Sequence, residues 1–312
     1  MLRSVSFFRS RLFRGIFSYF FCFYLLAWLT NDIMGAWIGY IMWTGVLLGV
    51  VGAVSASAWP RIWMRMEINL ISFITLIAAK WNRKKIAILY FIMQRVGSLI
   101  ILAGGVRVDC ASYLRKWVLG GLLLKASLAP FHFWGVALIP CLRNRHNITF
   151  QTWQKIVPIF LILVTTTKST LILIILLNVI VASVCRIGRK DVFILLFFSG
   201  LMHTGWLFSR PQNLIGIYFL IYCLICAPVF IIDPRSIRLP YLMLNIGGLP
   251  PITGFLLKLI VIQRIRFGLR RILLILSLVI LFAYLRVFLI APASKGDLRA
   301  ITVVVCSFGV LF

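Results

Sequence analysis

The sequence predicts an all-α, polytopic transmembrane helix bundle, and three observations predict it. The 312-residue chain is 62% hydrophobic and 12% charged, with a mean hydropathy of +1.05. A soluble domain is about half apolar and about a quarter charged. Its apolar runs repeatedly approach the roughly 20 helical residues that cross a hydrocarbon core. The gaps between runs are short and polar, which makes successive helices antiparallel neighbours. A soluble fold would need nearly every helix buried on all sides, and one domain of this size cannot do that. A barrel would need alternating segments of about ten residues, whereas these runs are continuous.

Taken in order, the candidate spans lie at 14–31, 35–58, 61–79, 85–105, 115–138, 151–166, 168–187, 192–209, 214–232, 239–263, 270–292 and 299–312. The opening "MLRSVSFFRSRLFRGIF" is rich in Arg and Ser and free of acid, which is transit-peptide character. It reads rather as a basic flank, with 1–39 holding that flank and a first span. Residues 40–292 form the main bundle, and 293–312 form a C-terminal apolar segment too short to stand as a full span. The polar gaps include "AKWNRKK" (79–85), "CLRNRHN" (141–147), "RIGRK" (186–190) and "DPRSIR" (233–238). Around 166 the stretch "LILVTTTKSTLILI" reads either as a break or as a polar patch within one element.

The charge balance is extreme: 33 Lys and Arg against 6 acids, a net charge of +27. In a soluble protein this would suggest nucleic acid. A chain made mostly of spans leaves no domain to bind it. Basic residues concentrated at the gaps instead suit anionic lipid such as cardiolipin, and acidic partner subunits. The positive-inside rule selects no orientation. Under strict alternation Arg3, Arg9, Arg11 and Arg14 share a side with the 264–271 cluster, while "NRKK" and "RIGRK" lie on the other. Seven cysteines are scattered. Cys223 and Cys226 form a C-x-x-C inside an apolar run, with no second pair at zinc spacing, and read as small packing residues. No phosphate loop, nucleophile elbow or paired carboxylate is present. The expectation is a chain without a redox cofactor of its own.

Function is sought in the charges placed at membrane depth, because each costs about 2.5–3.5 kcal/mol at mid-helix. Glu67 is the single glutamate of the chain. Its helical neighbours Trp63, Met64, Leu70 and Ile71 are all apolar, and Arg65 points elsewhere. Its partner must therefore come from another helix, from water or from a proton, and a static tie between helices is weighed against a proton-loading group. Lys125 sits in "GGLLLKASLAPFHFWG", where Pro130 breaks the helix. A broken helix at depth is tolerated only where protein or water satisfies the freed groups, so a hydrated pocket near Lys125 and His132 is expected. Snorkelling is the plainer alternative. Lys258 follows a second interruption, "NIGGLPPITGFLLK", and the echo between "SLAPF" and "GLPPI" suggests the repeats of a transporter site. Lys155 lies three residues before Pro158. Lys168 reads as a loop or interface residue. His203, in "LMHTGW", is either a structural hydrogen-bonding group or a relay.

Five stretches, "RMEINLISF", "LKASLAPFHFWG", "TWQKIVP", "HTGW" and "GGLPPITGFLLK", occur in this order. Together they closely resemble the subunit 2 family of mitochondrial NADH dehydrogenase, an antiporter-like membrane-arm family of respiratory complex I. The resemblance spans about residues 40 to 290. It implies two inverted five-helix repeats, each with a Pro-broken helix, in a multi-pass protein of the mitochondrial inner membrane. It implies proton translocation driven by NADH:ubiquinone oxidoreduction, with NADH, FMN, iron–sulfur clusters and ubiquinone handled by other subunits. It further implies contacts with other membrane-arm and accessory subunits. Residue by residue, Glu67 matches the family glutamate of "EIN", Lys125 the broken-helix lysine, Lys155 the central lysine of "TWQK", and Lys258 the lysine after "GGLPP". His132 and His203 match the histidines of "PFHFW" and "H-GW" and are read as secondary relay groups. The sequence departs from the family after "PFHFW", where "GVALIP" carries no carboxylate. Its first 39 residues also fit no part of the pattern. Two other readings compete with a proton-conducting subunit: a self-contained cation/proton antiporter, and a non-conducting scaffold.

Overall fold

The computed structural model describes residues 33–78, 84–105, 112–189, 191–209, 212–232, 238–248, 253–263 and 267–290, and contains helices and no strand among them. The expected spans at 14–31 and 299–312 lie outside the described residues. Contacts divide the chain into two compact units, at Lys168/Ser169.

The first unit runs through α1 (Ile33–Ser55), α2 (Trp59–Ala78), α3 (Lys84–Gly105), α4 (Ser112–Lys125), the short α5 (Phe133–Leu138), a 3-10 turn (Ile139–Cys141), α6 (Asn144–Gln151) and α7 (Trp153–Thr165). The expected span 115–138 is divided as Pro130 predicts. Beyond Lys125 the helix winds down through short-range bonds, Ser127 N to Leu124 O at 3.1 Å and Leu128 N to Leu123 O at 2.9 Å. The gap "CLRNRHN" is partly helical, starting at Asn144. Polar residues in and just beyond it can be buried because the backbone takes their donors: Asn147 Nδ2 gives to Ile139 O at 3.2 Å and Thr149 Oγ1 to Arg145 O at 2.9 Å. The question at 166 resolves as a break. Thr166 is extended, after Thr165 and Thr166 have returned their hydroxyls to Leu161 O at 2.8 Å and Ile162 O at 2.6 Å, a local competitor to the helix ladder.

Helix α3 packs on α4, α1 on α2, and α7 against both α1 and α4. The α3–α4 contact is close because Gly121 faces Gly97; a Cβ on Gly121 would stand 2.9 Å from Gly97 O. Small residues at a helix crossing are the membrane form of tight packing. An aromatic cluster fills the unit: Phe73–Tyr90 ring centroids are 5.3 Å apart, Tyr90–Trp134 6.0 Å and Trp134–Phe150 5.5 Å. Such pairs contribute about 0.5–1.5 kcal/mol each beyond area burial. Indole donors tie helices to one another, Trp63 Nε1 to Ser98 O at 3.2 Å and Trp153 Nε1 to Val46 O at 3.2 Å.

The second unit contains α8 (Lys168–Val184), α9 (Val192–Phe208), α10 (Gln212–Ile231), α11 (Arg238–Gly247), α12 (Thr253–Ile262) and α13 (Phe267–Ile290). Lys168 is exposed at the start of α8, in keeping with a loop-end residue. Helix α9 is buried all round from Ile194 to Phe208, which its continuous apolar sequence permits. The expected span 239–263 is interrupted as "GGLPPI" predicts. Asn245 caps the second half, its Oδ1 accepting from Gly254 N at 3.0 Å and Thr253 Oγ1 at 3.0 Å. Cys223 and Cys226 are buried on α10, as packing residues are.

The outer faces are apolar. Met64, Ile68 and Ile71 stand exposed along α2, Ile88, Phe91, Ile92 and Leu99 along α3, and Ile275, Leu278 and Phe282 along α13. Stripes of that length are rare on water-soluble surfaces. Two segments, 85–105 and 144–165, are long and apolar enough by themselves to cross a membrane. Shorter apolar helices at 39–55, 168–184, 192–208, 215–231 and 253–262 accompany them.

Candidate functional site

Glu67 lies on the inner face of α2 and is 7% exposed. Its Oε2 forms an ion pair with Arg95 Nη1 on α3, and its Oε1 lies 3.9 Å from Lys125 Nζ on α4. The carboxylate is thus shared by two cations from two other helices. Lys125 is the partner that the sequence reading supplied; Arg95 is the one it missed. A signal existed. Glu67 lies eleven residues before the end of α2 at Ala78, and Arg95 lies eleven after the start of α3 at Lys84. An antiparallel hairpin with equal arms sets both at one depth. Arg95 is 39% exposed along its side chain; its guanidinium carbon lies over the Phe91 ring, 5.5 Å from the centroid, while Nη1 reaches inward to Glu67.

The carbonyls freed at the first break all matter, because an unpaired polar group at membrane depth costs several kcal/mol. Gln94 Nε2 donates to Lys125 O at 2.9 Å and Trp134 Nε1 to Leu124 O at 3.1 Å. Helix α3 therefore holds the backbone at Lys125 through Gln94 and the carboxylate beside it through Arg95. A cavity opens beside Lys125, lined by Met66, Asn69, Tyr90, Gln94, Gln154 and Pro158 among others. Its polar lining suits water. On its wall Asn69 and Gln154 exchange two hydrogen bonds, at 2.9 Å and 3.0 Å, joining α2 to α7. Lys155 follows Gln154 and is 3% exposed. His132 is half-buried at the break, with Nδ1 3.2 Å from Pro130 O, where it closes the turn.

The amide pair yields a prediction. Asn69→Leu leaves the half-buried Gln154 without its partner and should destabilise the protein by about 1 kcal/mol. The double variant with Gln154→Leu should recover most of that loss. Thermal unfolding of the single and double variants measures both.

In the second unit Lys258 is 6% exposed, and its Nζ donates to Gly247 O at the end of α11. His203 reaches the preceding carbonyl, Nε2 lying 3.2 Å from Ile246 O, while Nδ1 lies 2.8 Å from Tyr218 Oη. A carbonyl only accepts, so Nε2 carries a proton, and in the neutral ring Nδ1 accepts from Tyr218. Two sequence-predicted residues thus converge on one helix end, as Gln94 and Trp134 do at the first break. Arg186, read from the sequence as part of a polar gap, is instead 1% exposed. Its guanidinium carbon lies 3.7 Å from the Tyr284 ring centroid. The turn after α8 folds this side chain inward onto α13.

An all-α arrangement of two units, each with an interrupted helix and a buried lysine beside the interruption, defines an antiporter-like fold. Solved structures share that fold. A chain of respiratory complex I from Thermus thermophilus matches with a TM-score of 0.72 at 20% identity, covering 91% of this chain and 78% of that one. A chain of the Mrp complex from Dietzia sp. DQ12-45-1b matches with a TM-score of 0.70 at 16% identity, covering 81% and 60%.

Sequence relatives narrow the class. NADH-ubiquinone oxidoreductase chain 2 of Anopheles gambiae is 29% identical over 281 residues, covering 77% of this chain and 82% of the relative. That of Lumbricus terrestris is 25% identical over 281 residues, covering 78% and 84%. No protein-family model matches the chain. The resemblance read from the ordered motifs is borne out: this chain is similar to NADH-ubiquinone oxidoreductase chain 2 along most of its length.

Proposed function

We propose that the chain is a proton-translocating membrane-arm subunit of respiratory complex I, in the mitochondrial inner membrane. Its relay residues are Glu67, Lys125, Lys155 and Lys258: the three lysines pass the protons and Glu67 supplies the fixed carboxylate beside Lys125, with His132 and His203 in secondary roles. The observation that supports this reading is the placement of Lys125. It is 5% exposed, stands at the open end of a broken helix beside a polar cavity, and lies 3.9 Å from a carboxylate. A lysine so placed can exchange a proton with cavity water, while the backbone around it stays hydrogen-bonded.

Arg95 shapes what Glu67 can do. Its guanidinium keeps a positive charge under all working conditions, so Glu67 has a counter-ion whether or not Lys125 carries a proton. Lys125 can then discharge without leaving a bare carboxylate in a medium of low dielectric. Glu67 is in this reading a fixed electrostatic anchor, and Lys125 is the group that changes state. Moving one charge against 100 mV requires about 2.3 kcal/mol. That work comes from NADH oxidation and ubiquinone reduction, which FMN and iron–sulfur clusters carry out in other subunits. The neighbours are other membrane-arm and accessory subunits, and anionic lipid meets the basic surface.

The test is Lys125→Met in the assembled complex. Electron transfer coupled to outward proton movement should fall to background, while the subunit is still incorporated. Normal proton output from an assembled variant would leave the chain as a scaffold and overturn the relay.

A further inference from the structure

The buried charges of the first unit form a sequence of cation, carboxylate, cation: Arg95, Glu67, Lys125. Among its described residues the second unit has the two cations and no acid between them. Arg186 is 1% exposed; its Nε, Nη1 and Nη2 make no hydrogen bond of good geometry, although the Tyr284 hydroxyl stands close enough to favour its charge. Lys258 and His203 lie within its electrostatic reach. Lys258 is bonded to Gly247 O, and Gly247 is in contact with Tyr284, on which Arg186 is stacked; a Cβ at Gly247 would stand 2.8 Å from Tyr284 Cδ2. Arg186, Tyr284 and Lys258 therefore bracket the end of α11. Among the described residues of this unit the acid is Asp191, which is exposed.

A guanidinium cannot shed its proton to escape burial. Stacking on a tyrosine ring offsets part of the cost, but it leaves the in-plane N–H groups unsatisfied, and an unpaired buried charge is strongly unfavourable. Those N–H groups form a fork that matches the two oxygens of a carboxylate. Stacking also fixes the plane of the fork, so its edge is presented in one orientation.

We infer that Arg186 is the binding point for a carboxylate side chain delivered from outside the described part of the second unit, with an acidic residue of an adjoining subunit as its source. Seated between Arg186 and Lys258, it completes the arrangement that Arg95, Glu67 and Lys125 already have. A chain with 33 basic residues and 6 acids draws its counter-charges from its assembly. The choice of source rests on the membrane-arm reading. The carboxylate itself follows from the side chains around Arg186.

Two measurements on the purified native assembly test this. The first compares Arg186→Met with Arg186→Lys by the yield and Tm of the assembly. With a carboxylate present, Arg186→Met strands it and should lower Tm by several degrees, while Arg186→Lys stays near the native value. Without one, Arg186→Met removes an unpaired buried charge, and Tm should hold or rise, which overturns the inference. Loss of packing on Tyr284 alone would affect Met and Lys alike, and equal losses would also overturn it.

The second treats the Arg186→Lys membranes with dicyclohexylcarbodiimide, which activates a buried carboxyl. The introduced amine then displaces the urea and forms an amide. A cross-linked peptide from another subunit identifies a partner carboxylate. One containing Asp233 or Asp297 keeps the carboxylate and assigns it to this chain. No amide, together with an unchanged Tm in Arg186→Met, rejects the site. Neither readout depends on proton output, so failure here is distinct from failure of the relay.

Discussion

Glu67→Gln is expected to produce the largest loss of any single substitution in this chain. It leaves Lys125 and Arg95 facing each other's charge with no carboxylate between them. Breaking one member of a buried pair costs about 3–5 kcal/mol. The lower end applies here, because Arg95 is 39% exposed along its side chain and can turn outward. A membrane subunit of ordinary marginal stability would then assemble poorly, and any assembled fraction should translocate no protons. Arg95→Leu alone should be milder, since Lys125 still stands 3.9 Å from Glu67. Combining the two should recover stability relative to Glu67→Gln, because one stranded cation is removed. The double-mutant cycle on Tm and on assembled yield measures this coupling. Additive losses would mean that Arg95 and Glu67 do not act as a pair.

The second large effect is expected at Gly254. A Cβ there would run into the backbone carbonyl of Asn245, and a backbone atom cannot turn aside as a flexible side chain can. Gly254→Ala must therefore push the start of α12 away from α11. That motion breaks the cap in which Asn245 Oδ1 accepts from Gly254 N and Thr253 Oγ1, both at 3.0 Å. It also displaces Lys258, one turn further along α12, from Gly247 O. Overpacking costs roughly 1–3 kcal/mol, and the lost cap adds roughly 1 kcal/mol. Thermal unfolding should show the stability loss. The discriminating measurement is proton output per assembled complex at permissive temperature, which should fall for Gly254→Ala and hold for Gly120→Ala, a position with open space around it.

Much of this was legible in the sequence because the signals are local. Pro130 interrupts its helix through its own missing N–H, and "GGLPPI" does the same before Lys258. Burial of Glu67, Lys125, Lys155, Lys258 and His203 followed from their place within apolar runs, and the structure buries all five. The carboxylate's nearest partner was legible only in depth, since equal hairpin arms set Arg95 level with Glu67. Arg95 looked like one more base in a basic chain, and its inward turn depends on the register of α2 against α3. Arg186 was misread for a related reason. It follows a helix end, where arginine is usually solvated, and only the packing of α13 shows that its side chain folds back onto Tyr284.

By itself the sequence determined the helical class, the two breaks and the depth of each charge, since backbone bonding and the cost of desolvation are set residue by residue. The tertiary structure decided which charges meet. Arg95 with Glu67, Gln94 with the Lys125 carbonyl, His203 and Lys258 with the end of α11, and Arg186 with Tyr284 are all contacts between different helices. Such contacts depend on helix rotation and separation, which small residues such as Gly97, Gly121 and Gly254 control at the crossings and which no local spacing encodes.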